Sequence, residues 1–294
     1  MKPVPFVYHA PRSLDQAVSL LDELEGDVRV TAGGQSLIPM MNLRVVRPDH
    51  LVDLRYLDAL SGIELTDTHL VVGATTTHRT IETSPLVRRV APLLSEMASN
   101  IAHIPIRERG TIGGSVALAD PTAEFPLAAL MLDAEMTLSS VRGTRTVKAD
   151  EFFHSALETE LAEDEILTSL AFPLEANRGG SAFTEFSRRK GDFCVAGVAA
   201  VVRLRDGRYE AARIGLCGVS DRPVLSTIAG QLAGERADDA TTNRIADAIA
   251  DEIEPMIDGR ATVADRRDIA RTLVRRTLPV ACERAAAIAQ GGNR

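Results

Sequence analysis

A chain of 294 residues has room for two domains, or for one large domain with an appendage. Its 45% hydrophobic and 25% charged residues are ordinary for a soluble globular protein, and a formal charge of −8 argues against non-specific nucleic-acid binding. With 4% aromatic residues and no Trp, a base-stacking platform is poorly supported.

The N-terminal stretch MKPVPFVYHAPRSLDQAV contains no apolar core of a signal sequence, and no long apolar run follows it, so neither a secretory leader nor a membrane span is expected. Ser13 caps a helix over about 14–25 whose buried side carries Ala17, Val18, Leu20, Leu21 and Leu24. VRVTA (28–32) alternates and reads as a strand running into the glycine pair of AGGQS (32–36). HLVDL (50–54) and HLVVGA (69–74) read as further strands. Pro85 and Pro92, each at a first helical position, open a helical stretch ending near Ile101. A second glycine pair follows in TIGGS (111–115), also after sequence of β character.

In ADPTAEFPLAALML, Asp120 suits an N-cap and Pro121 a first turn. EMTLSSVRGTRTVKA reads as a hairpin, Asp150 as the cap of a short helix, and EILTSLAFP (165–173) as a strand. LEANRGGSAF (174–183) is a candidate linker. Beyond it, Asp206-Gly207 between two strand-like runs is a strong hairpin signal. After Pro223 the chain turns helical, with Ile245, Ile249 and Ile253 on one face and Ile269, Leu273 and Thr277 on another. Pro279 is expected to kink or split the last helix, because its ring displaces the carbonyl of Arg275. Mixed elements, then a small antiparallel sheet, then helices make an α+β chain.

The two glycine loops carry the functional signal. Glycine tolerates positive φ, and adjacent glycines can turn successive N–H groups toward one anion. Gly33, Gly34 and Ser36 offer such donors, as do Gly113, Gly114 and Ser115, with the hydroxyls of Ser36, Thr111 and Ser115 beside them. Either loop alone reads as a strand-to-helix turn; the matched pair points to a shared diphosphate. GxxxxGK[ST] is absent, and Gly110, Gly113 and Gly114 do not have GxGxxG spacing, which leaves a dinucleotide bound without a Rossmann fold.

AGGQSLIPMMNLR followed by HLVDLR, together with IRERGTIGGSVALADPTAEFP, closely resembles the FAD-binding medium subunit of the molybdenum hydroxylases, a group that includes carbon monoxide dehydrogenase and bacterial xanthine, quinoline and nicotine dehydrogenases. The resemblance continues through EDEILTSLAFP and FSRRKGDF and covers nearly the whole chain. It implies a vanillyl-alcohol-oxidase (PCMH)-type FAD-binding domain over 1–174, in two subdomains of about 1–54 and 55–174, and a carbon monoxide dehydrogenase flavoprotein-type C-terminal domain over 179–290. By position, Ala32, Gly33, Gly34, Gln35 and Ser36 hold the FAD pyrophosphate from one side, and Thr111, Ile112, Gly113, Gly114 and Ser115 from the other. Glu124 accepts hydrogen bonds from cofactor hydroxyls, Leu167 packs near the adenine and Ile101 near the isoalloxazine.

Two departures stand out. Relatives often carry a cofactor-contacting Lys where Thr184 and Glu185 stand here. Phe193 occupies the place of a flavin-adjacent Tyr in carbon monoxide dehydrogenase, and offers a ring without a hydroxyl.

The resemblance further implies an oxidoreductase subunit that takes electrons from iron–sulfur clusters and passes them to an external acceptor. Molybdopterin and the 2Fe–2S clusters belong to a large and a small partner subunit, in a dimer of heterotrimers. Cys194, Cys217 and Cys282 are widely spaced with no CxxC, so this chain alone builds no such cluster, and their sparse, odd number suits a reducing cytoplasm. No HxxxH, HExxH or GxSxG is present, and neither a catalytic residue nor a metal ligand is assigned. His103 is placed by its loop near a flavin edge or on the surface; Arg107 and Arg109 either assist an anion or are solvated. ERADDATTNRIADAIADEIE reads as a solvated helix face, and DRRDIARTLVRR as a dipole complement or a subunit contact. Rival readings are a stand-alone flavin oxidase or reductase, a non-catalytic nucleotide-binding module, and a structural subunit whose loops are only turns.

Overall fold

The computed structural model describes residues 2–291. Three sheets succeed one another along the chain. The first is built from β1 (Val7–His9), β2 (Val28–Thr31) and β3 (His50–Asp53), all parallel, in the order β1-β3-β2. Helix α1 (Leu14–Glu23) crosses between β1 and β2, and the short α2 (Leu37–Asn42) follows β2. Ser13 caps α1 by accepting from the Gln16 N–H at 3.2 Å, while Gln16 accepts from the Arg12 N–H at 2.9 Å. Ala17, Val18 and Leu21 then pack with Val52, Leu54, Leu57 and Leu60 in a small core.

The second sheet contains β4 (Ile63–Leu65), β5 (His69–Gly73), β6 (Glu135–Ser140), β7 (Gly143–Lys148) and β10 (Ile166–Pro173), antiparallel in the order β4-β5-β10-β6-β7. Between β5 and β6 the chain forms α3 (His78–Thr83), α4 (Pro85–Val90), α5 (Pro92–Asn100), α6 (Ile104–Arg107), α7 (Ile112–Leu118) and α8 (Glu124–Met131). Their apolar faces join the sheet in the largest core, around Leu70, Met97, Phe125, Leu170 and Phe172. After β7 come α9 (Ala149–Phe152) and the small hairpin β8 (Phe153–Ser155) and β9 (Glu158–Thr159).

The third sheet, β11 (Gly180–Phe186), β12 (Ala196–Arg205), β13 (Arg208–Cys217) and β14 (Val224–Leu225), is antiparallel in chain order. Asp206 and Gly207 have φ of 51° and 71°, as a two-residue primed hairpin turn requires. Ala196, Val198, Ala200 and Val202 face α10 (Asp239–Glu252) and α11 (Val263–Gly291), whereas Ala199 and Val201 join the core of the second sheet. β12 is therefore buried on both faces, which explains its unbroken apolar run.

Several expectations are corrected. The second glycine pair follows α6, not a strand; only a lone bridge between Thr77 and Thr111 has β character there. Asp120 caps a turn, accepting from the Thr122 N–H at 2.8 Å and hydroxyl at 2.6 Å, and α8 begins after Ala123. Asp150 lies inside α9, after an N-cap at Lys148. The expected linker is largely structured: β11 starts at Gly180 and pairs with β12 along its length. β14 precedes the C-terminal helices, and α11 runs through Pro279 without being split.

Candidate functional site

The 32–36 loop leaves β2 and enters α2. Gly34 has φ of +69°, the left-handed conformation that glycine adopts without strain. Among the described residues, the N–H groups of Gly33, Gly34, Gln35 and Ser36 donate to no protein acceptor, and Ser36 makes no capping bond. Four successive amides are thus open. The Gln35 side-chain amide donates to the Gly33 carbonyl at 3.0 Å and braces the loop.

The 111–115 loop is organised differently. Thr111 is the N-cap of α7, and its hydroxyl accepts from the Gly114 N–H at 3.2 Å. The Ile112, Gly113 and Ser115 N–H groups donate to the carbonyls of Thr76 (3.0 Å), Ala74 (2.8 Å) and Thr111 (3.0 Å). Its amides are engaged by the fold, which corrects the expectation of a matching pair of open nests. Its glycines also differ. A Cβ on Gly113 would lie 2.8 Å from the Ala74 Cα, so this glycine lets α7 press on the end of β5. Gly114 is exposed, and a Cβ there would meet only the Thr111 hydroxyl, at 2.9 Å.

The structure brings the two loops together. A Cβ on Gly33 would stand 2.7 Å from the Gly110 Cα and 2.9 Å from the Arg109 carbonyl carbon. Beneath Gly110 lies His78, whose N–H donates to the Gly110 carbonyl at 2.9 Å. Its ring is buried edge-on to Phe125, with a centroid separation of 5.0 Å, and both ring nitrogens are without a partner among the described residues. Burial lowers its pKa to about 4, so it is a neutral wedge under the second loop.

Arg107 is not solvated, and the anion it holds is a side chain of this protein. It is buried, donating to the carbonyls of Ile101 (2.7 Å) and Ala102 (3.1 Å) and to the Glu82 carboxylate (2.9 and 3.3 Å). It thereby fixes the bend at Ala102, whose φ is +41°. Ile101 is the buried C-cap of α5. His103 is exposed and its ring lies against Gly191, where a Cβ would come 2.6 Å from His103 Nε2. Gly191 belongs to the loop between β11 and β12, closed by the Val195 N–H donating to the Phe186 carbonyl at 2.7 Å. Phe193, on that loop, is 61% exposed. Leu167 is buried on β10 beside Thr168, whose carbonyl accepts from the Ala74 N–H at 2.9 Å; Ala74 in turn holds Gly113.

Glu124 is the first residue of α8, and its carboxyl faces that of Glu185 on β11 within hydrogen-bonding reach. Burial, with the Glu185 carboxyl beside it, pushes Glu124 well above the usual carboxylate range, and burial raises Glu185 as well. The pairing is not legible in the sequence, because the two residues stand on different elements far apart along the chain and only the fold brings them together. The wedge at His78 has one local signal in the sequence, a histidine three positions before Ile81, the two being the buried residues of α3.

Open amides, a glycine at positive φ and an acceptor-rich carboxyl pair are a donor and acceptor set fit for a diphosphate linked to a polyol. Residues 4–175 match the family described as FAD binding domain in molybdopterin dehydrogenase, and residues 181–280 match the CO dehydrogenase flavoprotein C-terminal domain. The chain is 36% identical to the carbon monoxide dehydrogenase medium chain of Hydrogenophaga pseudoflava, covering 97% of this chain and 100% of that one. It is likewise 36% identical to the 6-hydroxypseudooxynicotine dehydrogenase complex subunit alpha of Paenarthrobacter nicotinovorans, over 97% of each. Among solved structures it superposes on a chain of carbon monoxide dehydrogenase from H. pseudoflava with a TM-score of 0.93, at 36% identity, covering 97% of this chain and 99% of that one. For a chain of quinoline 2-oxidoreductase from Pseudomonas putida 86 the TM-score is also 0.93, at 35% identity and the same coverage.

Proposed function

Because this chain belongs to the FAD-binding medium subunits of the molybdenum hydroxylases, we propose that it seats FAD between its 32–36 and 111–115 loops and relays electrons out of a multi-subunit hydroxylase. The observation that carries the reading is the backbone contact of Gly33 with Arg109 and Gly110, which sets four open amides beside the second loop.

In this reading Ala32, Gly33, Gly34, Gln35 and Ser36 bind the diphosphate mainly through main-chain N–H groups. Thr111, Ile112, Gly113, Gly114 and Ser115 form the opposite wall, where shape and hydroxyls matter more than free amides. Glu124 takes hydroxyls of the cofactor, Leu167 borders the adenine, and Ile101 and Phe193 flank the ring system. When bound, FAD supplies electron storage between the iron–sulfur clusters of a partner and an external acceptor. This chain positions the ring, limits water access through Ile101, and presents the exposed Phe193 edge to whatever approaches.

We assign molybdopterin to a large partner subunit and the 2Fe–2S clusters to a small one, because the three cysteines here lack cluster spacing. A dimer of these heterotrimers in the cytoplasm is the proposed assembly. Among the described residues, no helix is long and apolar enough to cross a membrane. The proposed division is an FAD-binding domain over 1–174 and a C-terminal domain over 179–290.

The test is an absorption spectrum of the purified chain, then of the complete complex during turnover. Flavin bands on the chain that bleach only when the partner subunits and their substrate are present are the expected result. A colourless chain that does not take up added FAD would leave the loops as turns, and bleaching by substrate without partners would make it a stand-alone enzyme.

A further inference from the structure

Glu124 and Glu185 come from opposite sides of the junction between the helical layer and the third sheet, and meet carboxyl to carboxyl. Oε2 of Glu185 is buried and has no hydrogen-bond partner among the described residues. Glu124 draws favourable polar contact from its own backbone N–H. The remaining titratable groups that face the pair are not cations. Asp120 lies in the turn ahead of α8. Cys194, ahead of β12, is a buried thiol that donates to the Thr122 carbonyl at 3.2 Å and lies 3.7 Å from the Cys217 Sγ.

Two adjacent carboxylates in a desolvated place repel each other, and a single proton held between them removes that repulsion. In that state the pair has one O–H donor, several acceptor lone pairs and one negative charge. A polyol, whose hydroxyls both donate and accept, is matched by such a group. A doubly ionised pair would instead offer acceptors only, and would add a charge close to an anionic ligand.

We infer that Glu185 is a cofactor-binding residue which, with Glu124, forms a proton-sharing carboxyl pair that receives hydroxyls of FAD, so that tight binding requires the pair to keep one proton. The inference rests on the proposed FAD site. Ligand binding adds a diphosphate and removes water, both of which favour the protonated pair, so above neutral pH the complex holds a proton that the free protein loses. Binding there is accompanied by proton uptake, and affinity falls as pH rises.

The experiment is a titration of the flavin-free full chain with FAD between pH 6 and 10, read by flavin fluorescence and by calorimetry in two buffers of different ionisation enthalpy. The expected Kd is flat on the acid side of neutrality and rises toward about tenfold per pH unit on the alkaline side, with close to one proton taken up per FAD. In E185Q the Kd loses its pH dependence and the proton count falls toward zero. A wild-type Kd independent of pH, without proton uptake on the alkaline side, overturns the inference and leaves the FAD site standing; so does an alkaline slope that persists in E185Q. The wild-type proton count decides the matter even where E185Q does not fold. Absence of FAD binding at every pH overturns the proposed function itself.

Discussion

Gly33 and Gly110 are in backbone contact: a Cβ on the first would stand 2.7 Å from the Cα of the second. Two loops nearly eighty positions apart are thereby held as one structure, and the fit has no room for a methyl group. Gly33→Ala should part them. Overpacking of this kind costs about 1–3 kcal/mol. We expect a lower Tm together with loss of flavin from the purified chain; a variant with wild-type flavin content would show that the contact does not shape the site.

The neighbouring glycines of the second loop should separate fold from ligand. Gly113→Ala pushes a methyl group into Ala74 and should lower stability by about 1–3 kcal/mol. Gly114→Ala points outward, disturbs only the Thr111 cap, and gains helix propensity of up to about 1 kcal/mol, so its Tm should stay near wild type. Its flavin occupancy should nevertheless fall, and Gly114→Val should accentuate that loss. Thermal melts and the ratio of flavin to protein absorbance check both variants; unchanged occupancy in Gly114→Val would remove that residue from the cofactor surface.

Arg107 is a buried tie between α6, the carbonyls of Ile101 and Ala102, and Glu82 of α3. Arg107→Ala strips the Ile101 and Ala102 carbonyls of their donor and leaves Glu82 with Arg79 as its cationic partner, 3.0 Å away. Removing one side of a fully buried pair costs about 3–5 kcal/mol; with Arg79 still in place, denaturant unfolding should register a loss toward the lower end of that range. Arg107→Lys should recover only part of it, since an ammonium cannot reproduce the forked geometry.

His78 makes an acid-side contribution with a definite sign. Its folded pKa of about 4 lies below the ordinary histidine value of 6.5, so between those values the unfolded chain binds a proton that the folded chain refuses. Stability should therefore fall as pH drops from 6.5 toward 4, by up to about 3 kcal/mol from this residue. His78→Phe keeps an edge-on ring against Phe125 and removes the titration. Tm measured across that range should be flatter in the variant; parallel curves would mean that the ring is protonated without penalty.

Features fixed by short-range chemistry were legible in the sequence. Ser13 and its helix, the Asp206-Gly207 turn and the proline-opened helices depend on neighbours a few positions apart. HIPIRERG, ahead of the second glycine loop, reads as β-like because it has β-branched and aliphatic residues, yet tertiary packing makes Ile104–Arg107 a helical turn around the buried Arg107. Asp120 looked like a helix cap because the residue type fits either role; Thr122 supplied two donors and captured it. Pro279 failed to split α11, whose neighbours Leu278 and Ala281 are buried against the third sheet. Of the site, the two loops and Glu124 were visible through the family resemblance. The difference between an open loop and a self-satisfied one was not, since it depends on where Ala74 and Thr76 place their carbonyls.

The double burial of β12 has a practical corollary. Ala199 and Val201 plug one core while Ala200 and Val202 plug the other, so the sheet is a party wall between two rooms. A fragment ending near residue 175 would keep both glycine loops yet lose Phe193 and Glu185 and lay bare the apolar surface around Phe125, Leu127 and Met131. Such a truncation should clump on expression, and both halves of the chain should melt in one step.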